Sequence, residues 1–406
     1  MRRIDPALVV VLAGISAAVH IGKLPPALPV LRDELGITLL QAGFLLSLVQ
    51  FAGMTLGLAM GAAADAIGPR RTMVLGLVLL SVAGLLGGAS TSAEVLMVLR
   101  ACEGVGFLMA SLPAPGLIRR LVDSRRLSGM LGWWGSYMPF GTGAALLLGP
   151  AVIAFGGWHV WWWVASLMSL AMAAWLWFAV PTRFDAALSQ PIGAHGGRVM
   201  RTLAAAGPWL AAVTFAAYSA QWLAVIGFLP TIYAQAGLPT AYAAVATALA
   251  AGINLVGNIA GGRLLQRGVP AAALMQCGFV GMSVGAILAF APWSESTSIA
   301  VIGGRYFGVL LFSTVGGLVP GTLFSVGVRL APDESTVSTT VGWMQQWSSF
   351  GQFAGPPLAA LVAARSGGWE NTWWVTVAFA GIGMALATVI GTALQRQGMG
   401  RAAVSP

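Results

Sequence analysis

Five ionisable side chains stand inside long apolar stretches of this 406-residue chain: His20, Lys23, Arg100, Glu103 and Arg305. A cation held centrally in a bilayer costs about 2.5–3.5 kcal/mol, so three would cost roughly 8–10 kcal/mol. Such groups are expected to face an aqueous cavity or a partner. Three cations against one carboxylate leave a positive excess, which favours an anion and repels organic cations. Arginine offers a planar fork for a carboxylate or another oxyanion, and lysine offers a point charge. Structural readings stand beside this one. Glu103 follows Arg100 by three residues, so the two can pair on one helix face. Lys23 can snorkel toward the outer surface, and Arg305 lies close to the start of its stretch. His20, three residues before Lys23, is either a hydrogen-bonded packing residue or a proton-responsive group beside an anion site. Glu103 is the second candidate for carrying a proton.

Polar and aromatic residues can complete a pocket around such a site. Tyr218, Gln221 and Trp222 share one apolar stretch, and Gln345 lies in another. The tryptophans near 158–163 and 369–374 read as anchors at a membrane interface. Cys102 and Cys277, 175 positions apart within apolar segments, suggest packing rather than a disulfide or a metal site. No cofactor or metal is expected.

The elements that hold these residues must be membrane helices. Only 8% of the residues are charged and 58% are hydrophobic, against about 25% charged in a soluble domain. That excludes a soluble enzyme, a DNA-binding protein and a disordered chain. The strands of a membrane barrel would alternate in polarity, and these stretches do not. Twelve spans are expected, roughly 7–31, 39–64, 73–90, 94–118, 128–154, 158–180, 205–233, 240–265, 270–291, 298–327, 335–364 and 371–394. The first is too long for a signal-peptide core and reads as a retained span.

Twenty of the 21 basic residues are arginine. Sixteen of them fall in one alternating set of gaps, and only Arg32 and Arg365 fall in the other. That asymmetry places both termini in the cytoplasm. The halves also repeat. Gly156-Gly157-Trp158 matches Gly367-Gly368-Trp369, Phe140-Gly141 matches Phe350-Gly351, Leu28-Pro29 matches Leu229-Pro230, and Arg100 matches Arg305, at offsets of 201–211. A six-span unit duplicated in parallel explains them. The domains are therefore 1–180, a cytoplasmic linker at 181–204, and 205–406.

Twelve spans in two parallel halves joined by a central linker resemble the major facilitator superfamily. Gly61-Ala-Ala-Ala-Asp65-Ala-Ile-Gly68-Pro-Arg70-Arg71 is similar to that family's loop motif, with a weaker copy at Gly261–Gly268 that lacks the acid. Arg100-Ala-Cys-Glu103-Gly104 is similar to its fourth-span motif. The segment from His20 to Arg32, rich in proline, resembles the cyanate/nitroimidazole permease type, with Lys23 where that pattern has arginine. The resemblance implies a central cavity lined by spans 1, 4, 7 and 10, which carry Lys23, Arg100, Tyr218, Gln221, Trp222 and Arg305. It also implies a gate at Gly61, Asp65, Gly68, Arg70 and Arg71. The function expected is secondary transport of a small organic or inorganic anion across the cytoplasmic (inner) membrane by alternating access, with import driven by a co-transported proton. The partners are the anionic substrate, protons and the lipid bilayer, with no nucleic acid and a monomeric protein. A proton-coupled drug exporter is the rival within transport, and it would call for an intramembrane acid without a basic partner. An integral membrane enzyme would need a cluster of His, Asp or Glu near one surface.

Overall fold

The computed structural model describes residues 5–123, 126, 130, 133–135, 137–185, 192–292 and 298–402. Among them every regular element is helical. Asp5 opens α1 (Pro6–Gly22) by accepting the Ala7 amide at 3.0 Å, with Pro6 at the first helical position. Pro25 and Pro26 lack the N–H groups that would continue the ladder, so the helix breaks at Lys23. Lys23 keeps helical dihedrals and α2 (Leu24–Leu35) follows directly, ending at left-handed Gly36. The first span thus runs from Pro6 to Leu35, broken at its lysine rather than unwound.

A capping box between Thr38 and Gln41 starts α3 (Leu39–Ser47). The chain continues through α4 (Phe51–Ile67), α5 (Pro69–Gly88), α6 (Ala93–Ser111), α7 (Ala114–Leu121) and α8 (Tyr137–Ala179). After α9 (Ile192–Ala204) come α10 (Ala206–Gln235), α11 (Thr240–Gly252), α12 (Asn254–Gln266), α13 (Ala271–Phe290), α14 (Ile299–Gly316), α15 (Leu318–Leu330), α16 (Val337–Ser366) and α17 (Trp373–Ala402).

Ten helices or helix pairs among the described residues are long and apolar enough to cross a membrane. One of them, α8, has 43 residues and breaks at Gly157, whose φ of 79° no helix contains. A straight helix of that length would reach about 65 Å, twice a hydrocarbon core of about 30 Å. It is therefore two arms, 137–156 and 158–179. Counting the arms separately and adding the more polar 30-residue α16 brings the described spans to the expected twelve. Part of the segment read as a linker is ordered as α9.

The chain forms two compact units, Met1–Gln190 with Ile226–Gly252, and Pro191–Val225 with Ile253–Pro406. The repeat is visible in their packing. In the first unit a Cβ at Gly141 would stand 2.5 Å from the Ile15 carbonyl oxygen. In the second, a Cβ at Gly351 would collide with the carbonyl oxygen of Ala216. Glycine is required at both places because one backbone lies directly on another. The two cysteines are free, but Cys277 is exposed on the apolar surface of α13 rather than packed inside.

Candidate functional site

Four of the five intramembrane ionisable groups converge inside the first unit. His20 and Lys23 come from the end of α1, and Arg100 and Glu103 from the middle of α6. All four are at most 1% exposed. Lys23 does not snorkel: its Nζ donates to Glu103 Oε1 in a short contact and to His20 Nδ1 at 3.2 Å. Arg100 donates through one terminal nitrogen to Glu103 Oε2 at 2.5 Å and to the His20 carbonyl at 2.8 Å. Its Nε reaches the Leu45 carbonyl of α3 at 3.3 Å. Each oxygen of the Glu103 carboxylate thus holds one cation. His20 Nδ1 lies 3.5 Å from Glu103 Oε1.

The second arm of α8 builds the other wall. The Lys23 ammonium sits 4.6 Å from the centre of the Trp162 ring, a cation–π contact. Trp161 donates to the Lys23 carbonyl at 3.0 Å, fastening the break in the first span to α8. Ser169 Oγ is 3.0 Å from His20 Nε2 and 2.9 Å from Ser16 Oγ. Gly84 of α5 forms the floor: a Cβ there would collide with Ser166 Oγ and lie 3.2 Å from Glu103 Oε1.

The charge balance of the cluster is uneven. Two basic side chains meet one carboxylate, and a buried charge is tolerated only when it is paired and hydrogen-bonded. One guanidinium nitrogen of Arg100, Nη2, is buried with no hydrogen-bond partner. That orphaned donor and the positive excess lie in the same place.

The second unit gathers its predicted residues differently. Tyr218 donates to Asn254 Oδ1 at 3.2 Å, and Asn254 donates to the Ser313 carbonyl at 2.7 Å. Asn258 donates to Asn254 Oδ1 at 2.8 Å. Gln221 spends its amide on the Ala217 carbonyl of its own helix, and its Oε1 is buried without a partner. The indole N–H of Trp222 is likewise unsatisfied, Arg305 is half-buried on α14, and Gln345 is exposed on α16. Tyr218 and Gln221 share a helix but bond to different partners.

In the loop motif, Gly68 has φ 99° and turns α4 into α5, a conformation open to glycine and strained for other residues. Arg70 is buried, donates to the Trp177 carbonyl at 2.6 Å and stacks 4.1 Å from the Trp177 ring. It therefore caps the last turn of α8. Arg71 is exposed. Gly61 and Asp65 lie in α4, and their side-chain environment falls outside the described residues.

Several site residues escaped the sequence reading. Trp158, Trp161 and Trp162 are buried in the first unit, not in an interfacial belt; Trp163 and Trp374 are exposed. Ser16, Gly84 and Ser169 carry no mark of their own in the sequence. The available signal was the spacing of Trp158, Trp162, Ser166 and Ser169, which puts them on one buried helix face.

These features define a polytopic α-helical membrane protein built on a duplicated helical array. Residues 7–347 match the family model of the Major Facilitator Superfamily, so the chain belongs to that superfamily of transporters. Among solved structures it is similar to a bacterial homologue of the human lysosomal transporter Spinster in two inward-facing forms. The unoccupied form has 16% identity over 97% of this chain and 96% of that one, with a TM-score of 0.75. The occupied form has 16% identity over 95% and 96%, with a TM-score of 0.79. At that identity the likeness concerns the fold. No curated protein matches the chain in sequence.

Proposed function

We propose that this transporter moves a small organic or inorganic anion, a carboxylate or a cyanate-like ion, by alternating access, with import coupled to a proton. It would act in the cytoplasmic membrane with both termini on the cytoplasmic side. The observation that carries the reading is the buried cluster with two cations, one carboxylate and an orphaned Arg100 nitrogen. Glu103 stands where the carboxylate of a substrate would need to be. Protonating it would release Lys23 and Arg100 for an incoming anion, which ties the anion to a proton. The proline-rich end of the first span keeps cyanate-like ions among the candidates. The turn at Gly68–Arg71 is assigned to gating.

The exporter reading is less well supported. It needs an acid without a basic partner, and Glu103 has two such partners. The test is uptake into proteoliposomes of radiolabelled monocarboxylates, dicarboxylates, cyanate and nitrate, with and without a pH gradient. An anion accumulated only with the gradient is the expected result. Transport of organic cations and of no anion would overturn the proposal. Lys23→Ala, Arg100→Ala, Arg305→Ala and Tyr218→Phe in the same assay rank the contributions of the two units.

A further inference from the structure

The neutral network of the second unit sits where two membrane helices are interrupted. α11 ends at Gly252 and α12 begins at Asn254; α14 ends at Gly316 and α15 begins at Leu318. Ile253 and Gly317, the residues between, keep helical dihedrals, so each interruption is a lapse in the hydrogen-bond ladder rather than a turn. In span 10 the cause is Pro320, which has no N–H for the Gly316 carbonyl. In span 8 the ladder tightens instead: the Val256 amide bonds the Ile253 carbonyl, three residues back, at 3.0 Å.

The first unit has both interruptions at the same places. Its Phe51 amide bonds the Leu48 carbonyl, and these residues lie 205 positions before Val256 and Ile253. Pro115-Gly116 lies 205 positions before Pro320-Gly321, and α6 ends at Ser111 as α14 ends at Gly316. The Leu112 amide closes on the Leu108 carbonyl at 3.0 Å and the Gly317 amide on that of Ser313 at 3.1 Å, which is the same offset. The residues around Leu48 and Ile253 differ, yet the interruption is shared. A soft point present in both copies belongs to how the scaffold works.

In the second unit the two interruptions are fastened to each other. Asn254 Nδ2 donates at 2.7 Å to the Ser313 carbonyl, the acceptor that also receives the Gly317 amide. A Cβ at Gly317 would collide with the Asn254 carbonyl, and one at Gly257 with that of Thr314, so the backbones touch beside the fastening. Tyr218 of α10 donates to Asn254 Oδ1 at 3.2 Å and Asn258 donates to it at 2.8 Å. The first unit has Val49 at the position of Asn254 and so lacks this amide.

We propose that Ile253 and Gly317 are hinges and that the Asn254 side chain is the clasp that holds them together. Breaking its bond to Ser313 frees α12 and α15 to bend independently. Tyr218 orients the Asn254 amide and sets how readily the clasp opens. These moving parts would serve any solute, so they are independent of the anion reading above.

Val328 lies 11 residues beyond Gly317, about 16 Å along a helix, so a bend of about 20° would move it about 5 Å. Spin labels can read that movement in the full-length protein in nanodiscs, with Cys102→Ser and Cys277→Ser. One pair, Val328→Cys with Val389→Cys, reports on α15 against α17. The reference pair, Val284→Cys with Val389→Cys, reports on α13 against α17. All three positions are exposed. With Asn254 in place, one Val328–Val389 distance should predominate in double electron–electron resonance. Asn254→Ala should raise the population of a second distance, about 5 Å away, about fivefold, as expected for one lost hydrogen bond. The Val284–Val389 distance should not move. Tyr218→Phe removes one hydroxyl and keeps the bond to Ser313, so it should raise the same population about twofold. It also carries the test if Asn254→Ala does not fold. Unmoved Val328–Val389 distances in the variants that fold overturn the clasp. Equal broadening of both pairs overturns it too, because the substitution would then loosen the whole unit.

Discussion

The two compact units share a scaffold and differ in what they bury. In both, a glycine lets one backbone lie on another, Gly141 on Ile15 and Gly351 on Ala216. At the repeat-related positions the first unit has His20 and Lys23 where the second has Gln221 and Ala224. It has Glu103 where the second has Gly308, although Arg100 is matched by Arg305. The first unit therefore buries an ion cluster, and the second a neutral network around Asn254. Duplication preserved the helix contacts while the titratable chemistry gathered on one side. A buried charge needs a counter-charge at hydrogen-bond distance, so such a cluster is kept or lost as a whole.

The sharpest way to break this comparison is to remove the shared counter-ion. Glu103→Leu leaves Lys23 and Arg100 buried without a carboxylate and should cost about 3–5 kcal/mol, read as a large fall in the thermal midpoint in detergent. If Glu103→Leu were as stable as the wild type, the cluster would not be a structural unit. Asn254→Ala, its counterpart in the neutral network, strands the Tyr218 hydroxyl and leaves the Ser313 carbonyl with the Gly317 amide alone. It should cost about 1–3 kcal/mol, and a loss matching that of Glu103→Leu would erase the distinction between the units. Gly141→Ala and Gly351→Ala probe what the units share. Each should cost about 1–3 kcal/mol through overpacking, and a clear inequality between them would mean that the repeated contact is not equivalent.

The smallest effect is expected outside the spans. Asp333, between α15 and α16, accepts from the Ser335 hydroxyl at 2.5 Å and from Arg201 of α9 at 2.8 Å. The Ser335 hydrogen bond chiefly holds its carboxyl below the ordinary value of 3.8, against an opposing push from desolvation and with smaller help from Arg201. A depressed carboxyl stabilises the fold above its unfolded value, and that contribution disappears as the pH falls through the folded one. Asp333→Asn should therefore be slightly less stable than the wild type at neutral pH. The gap in thermal midpoint should close on acidification, and a gap that widened in acid would refute the assignment.

The sequence announced the spans, the duplication and the set of buried ions, because each leaves a one-dimensional trace: apolar length, spaced identities, and rare charges in apolar runs. The Arg100–Glu103 pair was readable from its spacing alone. Lys23 meeting Glu103 was not, since 80 residues separate them. Trp162, Ser169 and Gly84 were hidden for another reason. A membrane helix is apolar all round, so its composition does not tell which face meets protein and which meets lipid. The tryptophans of the second α8 arm could be told from belt residues only once their neighbours were known.

The break at Gly157 has a practical consequence for anyone mapping the chain. Two arms of α8 meet at a single non-helical residue, and helix resumes on either side. A protease must draw an extended stretch of several residues into its cleft, and none is offered here, although Phe155 is almost wholly exposed. Limited digestion of the folded protein should leave the two arms in one fragment, and an epitope inserted at Gly157 should be refused where a true loop would accept it.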